Sequence, residues 1–292
     1  MDKGVNSMIK CIATDMDGTL LDSVSKKITS ENRQAIVDAQ AQGIEVVIST
    51  GRSYEEVNYL LAEAKIECPL ILVNGAETRS KDGEISSTNP LTKGQVLDVA
   101  KILSDNGIYF EVYTDQGKFT HDREKSVEVI LNIVASANDE ANVEEAKKYA
   151  RERAKRIKEI ASYDQLFDNK VYKFLVFSFD DNQLAQAAKS LEGVADIAVS
   201  SSGHGNMEIT HIHAQKGIAL ERFVASRGIS LEETMAVGDS YNDVSMFERV
   251  GRAVAMGNAD DLIKEKCDFV TAPNDESGVA KAIWEVLKLE RV

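Results

Sequence analysis

Short, mainly apolar runs, separated by helix-length stretches, constrain this chain more than any other feature. "IKCIAT" (9–14), "IEVVIST" (44–50) and "PLILVNG" (69–75) are three such runs in the first quarter. Between them, Thr29 to Gly43 has a helical pattern, with Thr29/Ser30 as N-cap and Gly43 as stop, and "SYEEVNYLLAEA" is a second helix. A strand that is apolar on both faces must be covered on both faces. Alternation with helices supplies that cover and predicts a parallel α/β sheet.

The pattern breaks after Ala76. "ETRSKDGEISST" carries an Asp82-Gly83 hairpin signal between short polar strands. A helix (Thr92 to Asn106), the strand "IYFEVYT", a tight turn at "DQGK" and a charged helix from Val143 to Ile160 follow, the last with a solvated face. "VYKFLVFSF" is a strand, "NQLAQAAKSLEG" a helix, and "ADIAVSSS" with "GNMEITHI" a closing hairpin. From Ala214 the first style returns. "QKGIALERFVASRG" is a helix, and Ser230 with Glu233 forms a capping box before the strand "TMAVGD". "NDVSMFERV" is a helix, "RAVAMG" and "CDFVTA" are strands, and "GVAKAIWEVLKLE" closes the chain as a helix. The expected architecture is a Rossmann-like parallel core built from residues 1–83 and 211–292, with an α+β domain, 84–210, inserted between them.

Composition narrows the partners. With 34 basic against 48 acidic side chains, the net charge of −14 argues against nucleic acid and anionic membrane, which both need a basic footprint. An anionic substrate must therefore be drawn in by local positive charge or by a bound cation. Cys11, Cys68 and Cys267 stand far apart in apolar surroundings without metal-type spacing, as reduced core thiols of a cytoplasmic protein would. "MDKGVNSMIK" has no signal-peptide core, and no apolar run approaches the roughly 18 residues of a membrane helix. Residues 1–7, ahead of Met8 and the first strand, are expected to be a loose extension. Monomer and homo-oligomer are equally compatible with this composition.

In open parallel sheets, ligands bind beyond the carboxyl ends of the strands. Asp15 and Asp17 stand after the first run; Thr50, Gly51 and Arg52 after the second; Asn74 and Gly75 after the third. "GDSYND", with Asp239, Asn242 and Asp243, follows "TMAV", and "MGNADD" follows "RAVA". Asp15 and Asp17 are two apart, so on a strand they share a face and repel. An EF-hand loop fails here, because Gly18 comes too early and Leu20-Leu21 follow. Mg²⁺ fits better: Asp15 and Asp239 supply carboxylates, and a backbone carbonyl near Asp17 adds a third oxygen. Carboxylates also act as nucleophiles in phosphoryl transfer, and a second one can move protons on and off the leaving and attacking oxygens. Thr50 offers a hydroxyl, the backbone at Gly51 offers an N–H, and Lys216 offers a point charge for the phosphoryl oxygens.

These residues resemble the haloacid dehalogenase-like hydrolases, in particular the Cof-type sugar-phosphate phosphatases. "DMDGTL" (15–20), "STGR" (49–52), Lys216-Gly217 in "QKGIAL" and "GDSYND" (238–243) match four motifs in order, and "NGA" (74–76) and "MGNA" (256–259) look like that subgroup. The resemblance implies a Mg²⁺-dependent phosphatase of small phosphate esters, most of all sugar phosphates, working through an aspartyl-phosphate. It makes Asp15 the nucleophile and Asp17 the general acid/base, with Thr50, Gly51, Lys216 and Asn242 on the phosphate. Asp15, the Asp17 carbonyl and Asp239 hold the metal, and Asp243 stands behind them, holding Lys216. Arg52, Asn74 and Gly75 are candidates for touching substrate. The inserted domain would act as a cap that closes on the site and sets specificity.

"THIHAQKG" departs from the family pattern by placing His211 and His213 where Gly or Pro is expected. Without a third ligand at metal spacing they are expected to be hinge or linker residues. His121 and His204 are expected at the surface of the inserted domain. A phosphomutase with a similar cap, or an idle sensor that keeps the fold, are the competing functions. A dehalogenase would leave Asp17 and the acidic metal motif without a task.

Overall fold

A computed structural model describes residues 8–137, 143–202 and 205–289, so the expectations for residues 1–7 and His204 lie outside the described residues. The chain divides into two compact units. One takes the chain up to Asn89 and from His213 onward, and the other is Pro90–Ile212. The sequence pattern placed these boundaries at residues 84 and 210.

The first segment of the core unit contains β1 (Cys11–Thr14), α1 (Ser30–Ala41), β2 (Glu45–Ser49), α2 (Tyr54–Ala64), β3 (Leu70–Leu72), β4 (Glu77–Arg79) and β5 (Ile85–Thr88). Thr29 caps α1 by accepting the Asn32 N–H, as its position suggested, and Gly43 leaves the helix at φ 81°. The inserted unit contains α3 (Lys93–Asp105), β6 (Tyr109–Thr114), β7 (Gly117–Thr120), α4 (Arg123–Ala137) and α5 (Val143–Lys155). Then come β8 (Ile157–Glu159), β9 (Val171–Phe177), α6 (Asp181–Leu191), β10 (Ile197–Ser200) and β11 (Asn206–His211). The core returns with α7 (Lys216–Ala225), β12 (Thr234–Gly238), α8 (Val244–Phe247), β13 (Arg252–Ala255), α9 (Asp261–Lys264), β14 (Phe269–Val270) and α10 (Gly278–Leu289).

The core sheet runs β14-β13-β12-β1-β2-β3-β4-β5. It is parallel from β14 to β3, and the hairpin β4–β5 is added antiparallel at one end. Thus β1 lies between β2 and β12, and their ends bring residues far apart in sequence to one edge. Ala13, Val47, Ile71, Ala236 and Ala255 pack with Leu220, Phe223 and Phe247 into an apolar layer beneath that edge. The inserted unit has its own sheet, β10-β11-β9-β6-β7-β8, and its own core around Phe110, Phe174, Val176 and Ile209.

Two departures from the sequence pattern have simple causes. The charged helix stops at Lys155, because Ile157 is apolar, buried, and pairs in β8 with Lys118 of β7. "NDVSMFERV" is not one helix: a 3₁₀ turn at Tyr241–Asp243 precedes α8, since the Asp243 carboxylate accepts the N–H groups of Asp239 and Ser240. The helix α4 had no counterpart in the sequence reading. Cys11 and Cys68 are buried, Cys267 is partly exposed, and no helix of the described residues is long and apolar enough to cross a membrane.

Candidate active site

Asp15 follows β1 directly, is 4% exposed, and is held by its N–H on the carbonyl of Val237 at 2.9 Å. The chain then makes a single π-type turn, Met16–Leu20, which buries Met16, Thr19 and Leu20 and leaves the Asp17 side chain in solvent. Gly18 sits in this turn at φ 70°, and a Cβ there would collide with the Asp239 carboxylate. Glycine thus lets the loop after β1 lie against the loop after β12. Thr19 Oγ1 completes the contact, donating to Asp239 Oδ1 at 2.8 Å.

Lys216 opens α7 with its side chain wholly buried. Its Nζ donates to Asp15 Oδ1 and to Asp243 Oδ1, each at 2.7 Å. Gly217 permits this depth, because a Cβ would run into the Ser245 carbonyl, and its N–H donates to Ser245 Oγ at 3.0 Å. Asp243 is fully committed, with Oδ1 on Lys216 and Oδ2 accepting the Asp239 and Ser240 N–H groups at 3.0 Å. Carboxylate oxygens of Asp15, Asp239 and Asp243 lie within 4.8 Å of one another. Burial pushes Asp15 well above the usual carboxylate range against the pull of Lys216, and Asp243, Asp239 and Asp17 push it further. Burial and then Asp243 push Asp239 up to about 7, although the Thr19 hydroxyl opposes the rise. For Lys216, burial pulls the ammonium down but Asp15 and Asp243 outweigh it, so it is held above its ordinary value.

On the β2 side, Thr50 is buried and its hydroxyl accepts the Arg52 N–H at 3.2 Å; Gly51 beside it is half-buried. Arg52 turns to Asp17 in a two-pronged pair, Nε to Oδ2 at 2.7 Å and Nη2 to Oδ1 at 2.6 Å. The sequence placed Arg52 among candidates for substrate, and here its guanidinium holds the exposed carboxylate two residues after Asp15. After β3, Asn74 and Gly75 adopt left-handed backbones, and the buried Asn242 donates Nδ2 to Asn74 Oδ1 at 3.3 Å. The eleven expected residues therefore gather at one edge, in the core unit alone. His211 and His213 do not join them: His211 ends β11, and the cluster of metal-type ligands among the described residues is the aspartate trio.

The sequence reading missed a set of asparagines that grips the loop after Asp15. Asn258 donates to the Gly18 carbonyl at 2.8 Å, Asn32 to that of Leu20 at 2.9 Å, and Asn274 to that of Leu21 at 2.7 Å. The "MGNA" motif pointed at Asn258. Asn32 in a helix and Asn274 in a loop carry no signal that separates them from surface residues.

The trio also fits a divalent cation. Two buried acids and the half-buried Asp239 face one lysine, Gly18 leaves room beside Asp239 that any Cβ would fill, and raised proton affinities are what a missing positive charge produces. Asp15 and Asp239 could supply its carboxylate ligands, since Asp243 already uses both oxygens.

Comparison with known proteins agrees with the motifs. Residues 12–283 match the family model of the haloacid dehalogenase-like hydrolases. The chain is 39% identical over 284 residues to the 5-amino-6-(5-phospho-D-ribitylamino)uracil phosphatase YwtE of Bacillus subtilis, covering 96% of this chain and 98% of that one. Phosphatase YwpJ of the same organism is 37% identical, with 96% and 100% covered. A solved haloacid dehalogenase-like hydrolase from B. subtilis superposes with a TM-score of 0.85 at 37% identity, over 94% of this chain and 99% of that one.

Proposed function

The chain belongs to the haloacid dehalogenase-like hydrolase family, and from that premise we propose a Mg²⁺-dependent phosphatase of small phosphorylated metabolites, sugar phosphates foremost. That it is a hydrolase of phosphoric monoesters follows from the family and its phosphatase relatives. The single observation that carries the mechanism is the buried Lys216 ammonium bridging Asp15 and Asp243. A lysine sealed at 0% exposure against two acids at the sheet edge is built to place one carboxylate and to meet anionic oxygens.

In this reading Asp15 attacks phosphorus, a Asp15–phosphorus bond forms, and the ester P–O bond breaks. Asp17 gives a proton to the leaving oxygen, then takes one from the water that cleaves the aspartyl-phosphate and frees Asp15. Arg52 now occupies both Asp17 oxygens, so the fork must release at least one before a proton can travel. Thr50, the Gly51 N–H, Lys216 and Asn242 are assigned to the phosphoryl oxygens. Asp15, the Asp17 carbonyl and Asp239 would hold Mg²⁺, and when bound it would offset the acids' repulsion and draw charge from the phosphoryl group. Asp243 keeps Lys216 and the β12 loop in place. The name of one relative supports a polyol-phosphate substrate, since its substrate carries the phosphate on a ribityl chain. Specificity is assigned to the inserted unit.

Phosphate release from a panel of metabolites, with kcat/KM compared and products analysed, tests the reading. Free phosphate with no bisphosphate intermediate is expected; return of the phosphoryl group to sugar would make the protein a mutase. Chelation should stop turnover and added Mg²⁺ restore it, and full activity in chelator would remove the metal from the account.

A further inference from the structure

We propose that Asn74 is a positioning residue that acts through Asn242, holding that amide so that its oxygen is offered to an O–H donor in the occupied site. The proposal rests on the phosphatase reading above. Among the described residues, only two buried side-chain atoms have no hydrogen-bond partner, Ser49 Oγ and Asn242 Oδ1. Asn242 is 7% exposed, and its nitrogen is spent on Asn74 Oδ1 at 3.3 Å. A buried amide oxygen without a donor is costly, and at a binding site it marks an acceptor whose partner arrives with the ligand.

The backbone that presents Asn74 is itself strained. Val73, Asn74 and Gly75 are successive left-handed residues, with φ of 49°, 58° and 94°. Valine there is a real outlier, and such strain persists only where its surroundings impose it. They do: Val73 N–H donates to the Arg52 carbonyl and Asn74 N–H to the Thr50 carbonyl, each at 3.0 Å. A Cβ on Gly75 would lie 2.6 Å from the carbonyl of Gln215, the residue before Lys216. One turn thus ties the Thr50–Arg52 loop to the start of α7 and carries the side chain that orients Asn242.

The orientation matters because the two ends of an amide have opposite chemistry. With Asn74 offering oxygen, a reversed Asn242 would set oxygen against oxygen. Asn242 must therefore give its nitrogen to Asn74 and keep its oxygen for the ligand. An acceptor does not bind a bare phosphate oxygen. It takes an O–H, either of a protonated phosphate oxygen or of a water carried by the cation. Asn74, expected from sequence to touch substrate, acts here one residue removed.

The test is a double-mutant cycle of Asn74→Gly, which keeps the left-handed backbone and deletes the amide, with Asn242→Ala. Each single change should lower kcat/KM about tenfold or more, and the pair should be no worse than Asn242→Ala alone. Losses that multiply would show Asn74 acting on its own and overturn the proposal, as would a wild-type Asn74→Gly. Asn74→Asp keeps backbone and acceptor, and should stay within about threefold of wild type; a fall as deep as that of the glycine variant also overturns it. Two further readouts name the donor. Loss in both single variants of the Tm rise caused by Mg²⁺ alone identifies cation-carried water. Loss of inhibition by inorganic phosphate, with the Mg²⁺ response intact, identifies the phosphate O–H; both responses unchanged would sink the proposal. A wild type that releases no phosphate would instead refute the function itself.

Discussion

Both units bury ions, but they balance them differently. In the inserted unit, Glu111 of β6 receives a two-pronged Arg153 from α5 at 2.6 and 2.7 Å, with the Ser126 and Tyr109 hydroxyls also donating to it. Lys173 of β9 and Glu208 of β11 pair at 2.9 Å, each about 2% exposed. These are one cation to one anion. At the core edge, Lys216 faces Asp15, Asp239 and Asp243 together. Evenly matched buried pairs hold elements in register. A surplus of buried negative charge is unstable by itself and indicates a ligand that carries the missing charge.

The largest effect should come from removing Asp15, the member of the surplus proposed to react. Asp15→Asn is expected to lower kcat by three orders of magnitude or more, roughly the loss seen when a covalent nucleophile is deleted, while Tm holds or rises because one unmatched charge is gone. An active, folded Asp15→Asn protein would break the mechanism. In the inserted unit the opposite is expected. Arg153→Met strands Glu111, which is wholly buried, and should cost about 3–5 kcal/mol of stability in chemical denaturation. Adding Glu111→Gln should recover much of that. If the single variant unfolds no more easily than wild type, the distinction between the two kinds of buried charge fails.

Next in size is a pH effect confined to the core. Asp239 has a folded pKa of about 7, above its ordinary 3.8, so between those values the folded protein holds more protons than the unfolded chain. Asp239's contribution to stability without metal should therefore fall as pH rises from about 4 to about 7 and be spent above that. Mg²⁺ held by Asp239, as proposed, would compete with that proton, so the Tm gained on adding it should be larger at pH 8 than at pH 6. An equal gain at both would separate Asp239 from the cation.

The contrast also explains what the sequence could tell. Glycines and acids at strand ends are bound to particular positions by geometry: Gly18 by the Asp239 carboxylate and Gly217 by the Ser245 carbonyl. Such residues have few substitutes, and they were legible as motifs. The Asp17–Arg52 fork was not, since each residue already had a separate expected role and nothing local links positions 35 apart. Asn32 and Asn274 were hidden for a related reason: they grip backbone carbonyls, which every residue has. In the inserted unit, α5 looked like a solvated charged helix because its alternating charges say nothing about which single arginine turns inward. Among the described residues of α5, Ala150 and Ala154 are buried on the same helix as Arg153, whose side chain is 17% exposed.

That arginine allows the smallest prediction to be the sharpest. Two residues along α5, Lys155 pairs with Glu152 at 2.6 Å, the same distance as Arg153 to Glu111. The side chains of Lys155 and Glu152 are 69% and 56% exposed, whereas Glu111 is 1% exposed. Water already solvates the outer pair, and holding two long side chains together costs entropy, so length alone gives it no stability. Lys155→Ala should leave Tm and phosphate release unchanged within error, in low salt as in high. Were it to destabilise the protein as Arg153→Met does, burial would not be what separates the two pairs, and the charge balance of the core edge would lose its meaning as a marker of function.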